Sequence, residues 1–247
     1  MATIKTSSKS RMYEIKAKNN TADIWIYEDI GEAWFGGVSA KQFADDLKGA
    51  GLVDLIRVFI NSGGGNIFDG VAIYNSLKRH NARVEVSIDS AALSIASIIA
   101  MAGDEIKIAN NAQIMIHDPW TVAGGSSKDF RHIADIMDKT KETLVTTYQG
   151  KTGLDPYKIS SMMADETWMN AEEAVQHGFA DTITGESQLP LAASVDKRIL
   201  EQFKNMPKEF LEAIESRDSV ANEKRAQSEV THNRLAKMQE YYRSKNW

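Results

Sequence analysis

Leu55-Ile56-Arg57-Val58-Phe59-Ile60-Asn61-Ser62-Gly63-Gly64-Gly65 decides the fold class. Leu55 to Ile60 is an apolar, β-rich run, and the glycines end it in a turn. Ile67, Val71, Tyr74 and Leu77 follow at helical spacing. Strand, turn and helix in that order form one unit of an α/β domain with a largely parallel sheet. Upstream, Ala22 to Tyr27 alternates as a strand. Ser39 is placed to cap a helix reaching Gly49, with Phe43 and Leu47 on one stripe and Gly51 as its stop. Downstream, Arg83 to Ile88 reads as a third strand, and Ser94 opens the apolar segment Ile95–Ala102, which Gly103 ends. Glu105–Ile108 and Gln113–Ile116 read as two short strands. Phe130, Ile133, Met137, Thr140, Leu144 and Tyr148 mark a long helix. Ala171–His177 reads as a helix capped by Gly178, followed by a strand near Ala180–Ile183. These elements place one domain over residues 21–186. A flexible polar arm is expected over 1–20, and over 187–247 a linker followed by a charged tail of amphipathic helices or a partly disordered arm.

Composition narrows the function. Apolar residues make up 43% of the 247, enough for a full-sized core. A net charge of -5 argues against nucleic acid as the main partner, since phosphate binding needs clustered positive charge. The absence of cysteine excludes disulfides, thiolate catalysis and cysteine-held metals, and fits a reducing compartment. Met1–Asn20 is polar and basic, unlike a secretory signal or membrane anchor. The longest apolar run, Ile95–Ala102, is too short to span a bilayer.

Two short segments offer chemistry: Ala91-Ala92-Leu93-Ser94-Ile95-Ala96-Ser97 and Met115-Ile116-His117-Asp118-Pro119. A serine hydroxyl needs a base to become nucleophilic, and a histidine at a strand end can reach a neighbouring loop. Taken alone, Ser94 at a helix start reads first as an N-cap, and His117 as a hydrogen-bonded structural histidine. Ser87, Ser90 and Ser97 compete as nucleophiles. Ser97, one turn into the helix, is expected to face the packed side or a neighbouring subunit. His80 and His177 fall near helix C-termini, His132 on the long helix and His232 in the tail. For the third member of a Ser-His-acid set, Asp165 and Glu166 are the candidates, although both also suit the acidic start of the Ala171 helix. Asp118 adjoins the histidine but points to the opposite side of an extended chain. The amides of the glycine turn are placed to hold an oxyanion. A phosphate-binding reading ranks low, because no Walker lysine or clean Gly-x-Gly-x-x-Gly is present.

Four segments in order, Ile60–Gly65, Ala91–Ala96, Met115–Pro119 and Asn170–Ala174 with Gly178 and Asp181, resemble the ClpP family of serine peptidases over roughly residues 22–186. Gly36–Phe43, Ala72–Asn75, Ile99–Glu105 and Glu166-Thr167-Trp168 are similar to the branch encoded in phage and prophage head-assembly regions. The resemblance implies a ClpP/crotonase-like spiral ββα domain with a handle helix and a helical or partly disordered tail. It implies Ser94 as nucleophile, His117 as general base, and an acid at Glu166, where the housekeeping family has aspartate, with Asp165 as the alternative. Oxyanion and substrate-binding roles fall to Gly64, Gly65 and Ile95. Thr121–Lys128, with Gly124 and Gly125, matches the edge strand that pairs with substrate. No cofactor and no metal are implied.

The expectation is therefore a serine endopeptidase, ATP-independent or motor-assisted, that processes capsid or scaffold polypeptides in the bacterial cytoplasm or within phage proheads. The resemblance also implies a homo-oligomeric ring, a heptamer or double heptamer, with neither nucleic acid nor membrane as partner. The competing expectations are a quality-control peptidase fed by an ATPase, a crotonase-like hydrolase of coenzyme A thioesters with Ser94 and His117 merely structural, and a non-enzymatic assembly protein.

Overall fold

The computed structural model describes residues 13–31, 37–185, 200, 202–208 and 210–212. Two units are distinguished, Met1–Pro207 and Lys208–Trp247. In the second, the described residues 208 and 210–212 are helical. The linker and most of the tail read from sequence lie outside the described residues.

The first unit is built on one eight-stranded sheet whose main path runs β1-β2-β3-β4-β5-β8. The strands are β1 (Tyr13–Lys18), β2 (Thr21–Ile26), β3 (Leu55–Ser62), β4 (Arg83–Leu93), β5 (Glu105–Ala109) and β8 (Thr182–Thr184). From β2 onward the pairs on this path are parallel. Parallel neighbours need crossovers, and helices supply them. α1 (Ala40–Gly49) connects β2 to β3, and α2 (Ile67–Lys78) connects β3 to β4. Burial on both faces explains why the central strands are rich in isoleucine and valine: Ile56, Val58, Val86 and Ile106 have no exposed surface. Ser39 caps α1 as its sequence suggests, its side chain accepting from the Gln42 amide, and Phe43 and Leu47 form the buried stripe.

The expected flexible arm over 1–20 needs correction. Tyr13–Lys18 is a strand, paired antiparallel with β2 from Tyr13↔Ile26 to Lys18↔Thr21. Asn19 and Asn20 turn the chain at φ 51° and 59°, the left-handed conformations of a two-residue hairpin, which asparagine tolerates. An edge strand with one wet face can be rich in lysine and glutamate. Ile15, which is buried opposite Ile24, is enough to set its register.

β4 forks the sheet. Its first half, Glu85–Ile88, pairs with β5, and its last residues, Ala91–Leu93, pair with β6 (Gln113–Ile116). β6 in turn pairs antiparallel with β7 (Thr167–Met169). At the end of β4 the chain enters α3 (Ile95–Ala100), every residue of which is buried. α4 (Ser127–Thr152) is the long helix, and its buried residues, Leu144, Val145 and Tyr148, lie in its C-terminal half. Its N-terminal half exposes Phe130 and Ile136. α5 (Pro156–Ala164) and α6 (Ala171–Gln176) bracket β7. α5 and β7 add to the elements expected from sequence; Asp155 caps α5 and Pro156 starts it.

Phe43 is fully buried beneath α1. Phe43→Ala is expected to cost about 3–5 kcal/mol through lost burial and the cavity left behind. Denaturant unfolding at unchanged slope measures this.

Candidate active site

The fork in the sheet brings the two chemical segments together. Leu93 is in register with Met115, and the Ser94 amide donates to the Met115 carbonyl at 2.9 Å. Two parallel strands thus end side by side, one running into Ser94 and the other into His117. Ser94 occupies φ 54°, ψ -127°, a backbone state that costs a non-glycine residue about 1–3 kcal/mol. It occupies the N-cap position of α3, but its side chain makes no capping bond. Its Oγ lies 2.7 Å from His117 Nε2 instead. The bent backbone aims the hydroxyl away from its own helix and at the imidazole.

A second hydroxyl steadies this bend from behind. Ser97 is fully buried, and its Oγ donates to the Ser94 carbonyl at 2.5 Å. It also lies 2.8 Å from the Tyr148 hydroxyl on α4. Burial pushes the Tyr148 phenol far above its ordinary pKa, so it stays protonated as a structural hydrogen-bonding group. Ser97 thus faces the packed side, one of the two alternatives for it.

The glycine turn closes on the same point. At Gly64 (φ 95°) a Cβ would lie 2.7 Å from both the Leu93 carbonyl oxygen and Ser94 Cβ. At Gly65 (φ 137°) a Cβ would lie 2.2 Å from the Ile30 carbonyl oxygen. Ile30 holds the turn by donating to the Gly64 carbonyl and accepting from the Asn66 amide, at 2.7 and 2.8 Å. The Gly64 amide turns back onto Ser62 Oγ at 3.2 Å. Among the described residues the amides of Gly65 and Ile95 have no acceptor, and both residues line the cleft at Ser94. The cleft has a volume of ≈ 290 Å³, with Ile67, Phe68, Ile98 and Met137 on its apolar side.

The acids separate. Glu166 is buried, at 8% exposure, on a left-handed turn (φ 48°). Asp165 is exposed, and among the described residues its carboxylate accepts from Ser161 Oγ alone, at 3.4 Å. Asp118 pairs with Lys141 of α4 at 2.8 Å. Among the described residues none of the three carboxylates is hydrogen-bonded to His117. Burial lowers the His117 pKa below its ordinary value, and the charges of Glu166 and Asp118 partly offset that.

The model of the Clp protease family matches residues 11–187. The chain belongs to the Clp protease family. It is 31% identical over 135 residues to an ATP-dependent Clp protease proteolytic subunit of Deinococcus radiodurans, a match covering 54% of this chain and 66% of that protein. It is 31% identical over 169 residues to proteolytic subunit 2 of Tropheryma whipplei, covering 66% of this chain and 91% of the relative. The chain thus spans just under two thirds of the Deinococcus relative. Among solved structures, a ClpP1 mutant from Listeria monocytogenes superposes with a TM-score of 0.58 at 23% identity, covering 66% of this chain and 91% of that one, a likeness of fold.

The segment expected to be a Clp protease substrate-pairing strand requires correction. Thr121–Ser126 is neither strand nor helix, and Lys128 already lies in the first turn of α4. Ser126 and Asp129 form a capping box that begins the helix early, and Gly125 lies against Asp129, leaving no space for a side chain. Gly124 meets nothing within 4 Å and stays open. Among the described residues the other histidines lie outside the site. His80 Nδ1 accepts from the Ala82 amide, and His177 ends α6. His132 lies on an exposed turn of α4, and His232 is outside the described residues. Phe203, read from sequence as part of a charged tail, lies edge-on against the His117 ring at 5.6 Å between centroids. No local pattern marked it.

A buried imidazole resists protonation. His117 is therefore expected to remain a competent neutral base below pH 6.5, and the acid limb of Ser94 reactivity is expected to have its midpoint under that value. Folding favours the neutral ring, so the stability tied to His117 is complete above the unfolded pKa and falls as pH drops through the folded one. Glu166→Gln removes a charge that raises the pKa, and should move the acid limb lower still. The pH profile of phosphonylation of Ser94 checks both directions.

Proposed function

We propose that the chain is a serine endopeptidase with Ser94 as nucleophile and His117 as general base. The observation that carries this reading is the 2.7 Å contact between Ser94 Oγ and His117 Nε2 on a strained turn where the serine caps nothing. His117 Nε2 takes the hydroxyl proton as Oγ attacks a peptide carbonyl. The amides of Gly65 and Ile95 receive the oxyanion, His117 returns the proton to the leaving amine, and water releases the acyl group. Donors aimed at an oxyanion in this way are worth about 3–4 kcal/mol each. Glu166 supplies the negative charge behind the imidazole, and its burial favours it over Asp165. The thioester-hydrolase and non-enzymatic readings treat Ser94 and His117 as structural, and the missing cap at Ser94 weighs against both.

Treatment of the full chain with a fluorophosphonate is expected to modify wild type, and to fall by at least ~10³-fold in Ser94→Ala and in His117→Ala. Ser97→Ala should still be modified. Thioester turnover that survives Ser94→Ala would overturn the reading.

The natural substrate is proposed to be a capsid or scaffold polypeptide cleaved in the cytoplasm or inside a prohead. The segments similar to the head-assembly branch support this, as does the charged stretch of sequence beyond residue 187, which lies outside the family match. The relatives' description as ATP-dependent proteolytic subunits supports the alternative of a motor-fed peptidase. A ring of this chain is proposed in either case, supported by the exposed Phe130 and Ile136 on the projecting half of α4. Co-expression with a phage capsid or scaffold protein should give Ser94-dependent cleavage without an added ATPase. Cleavage only when an unfoldase and ATP are present would favour the motor-fed reading.

A further inference from the structure

The carboxylate of Glu166 is held by chain from beyond the family match. Residues Gln202–Asn205 lie across the active site, started by a turn in which the Phe203 amide donates to the carbonyl of buried Leu200 at 3.1 Å. The Lys204 amide donates to both carboxylate oxygens of Glu166, at 2.8 and 3.0 Å, and the Asn205 amide donates to Oε1 at 2.7 Å. Trp168 Nε1 adds a weaker bond to the same Oε1 at 3.3 Å. The Asn205 side chain donates to the Asp165 carbonyl at 2.9 Å. The Phe203 ring sits edge-on to both His117 and Trp168, each at 5.6 Å, and Gln202 and Phe203 line the cleft that holds Ser94.

These contacts occupy what a working triad requires. An acid that orients an imidazole needs an oxygen directed at Nδ1–H. Here Glu166 Oε1 already accepts three donors and Oε2 one. His117 Nδ1 has no acceptor among the described residues. The base and nucleophile are in contact, the acid is turned to the chain's own backbone, and an aromatic ring takes part of the substrate space.

We infer that Gln202–Asn205 is an intramolecular latch that keeps this Clp protease in a low-activity state by holding Glu166 off His117 and filling part of the cleft with Phe203. The inference rests on the peptidase reading of Ser94, His117 and Glu166. Release of the strap returns two carboxylate oxygens to the site and clears one side of the imidazole. A substrate, a shell protein or a cut in the strap would each activate the enzyme by the same displacement.

The test uses the full chain and a fluorophosphonate below saturation. Phe203→Ala removes the ring. Lys204→Pro removes the amide that bridges both oxygens of Glu166. Lys204→Ala keeps that amide and is the matched control for the loss of side-chain charge. The latch predicts that Ser94 phosphonylation accelerates by about tenfold in Phe203→Ala and in Lys204→Pro, equivalent to ~1.4 kcal/mol of barrier, and that Lys204→Ala remains as slow as wild type. It also predicts slow hydrogen exchange at the Asn205 amide in wild type and fast exchange in Lys204→Pro. A rate that is unchanged or lowered in both strap variants, with Ser94-dependent labelling persisting, would overturn the latch and leave the peptidase reading standing. Unprotected Asn205 in wild type would do the same. Absence of Ser94-dependent labelling in every form would overturn the peptidase reading, and the latch with it.

Discussion

The hydrogen-bond register between the end of β4 and β6 is the constraint on which the rest of the site depends. Leu93 paired with Met115 commits Ser94 and His117 to adjacent strand ends, and the bond from the Ser94 amide to the Met115 carbonyl locks the last step. Side-chain direction alternates along a strand, so a slip of one residue would reverse which faces the two segments present. The register is protected by burial. Ile114, Met115 and Ile116 on one strand and Ala91, Ala92 and Leu93 on the other are all buried, so a slipped pairing would have to repack the core around them.

Around that register the structure concentrates strain and close approach. Ser94 and Glu166 both adopt positive φ, and Gly64 and Gly65 do so within contact distance of Ser94 and of Ile30. Such conformations persist only where the surroundings over-determine them. Here the surroundings are the fully buried α3 below Ser94, the Ser97–Tyr148 pair behind its carbonyl, and the Ile30 bridge across the glycine turn. α4 thereby serves two ends: its C-terminal half anchors the elbow through Tyr148, while its N-terminal half carries apolar side chains outward.

Much of this was legible in the chain. Ser94 after small residues, His117 after an apolar strand and glycines after Leu55–Ile60 are local signals, because a sharp strand-to-helix turn, a strand end and a tight loop each restrict the residue types they tolerate. The limits of α1 were legible for the same reason, since Ser39 and Gly51 carry the conformational demand themselves. β1 was not, because its lysines and glutamate resemble a solvated arm until Ile15 is paired with Ile24. The expected strand at Thr121–Lys128 is absent: Thr121–Ser126 pairs with no neighbouring strand among the described residues, and the capping box at Ser126 starts α4 at Ser127.

The sequence by itself determined the α/β class and the order of the parallel strands' units, because each is encoded in propensity and spacing over a few residues; it offered Ser94 and His117 among several candidates, and the family resemblance singled them out. Only the tertiary structure decided which acid is buried near them and what occupies it. Glu166 and Asp165 are neighbours in the chain, but a left-handed turn buries one and exposes the other. The amides that hold Glu166 come from 38 and 39 residues further on. Backbone amides are the same for every residue but proline, so no pattern of side chains announces where they will dock.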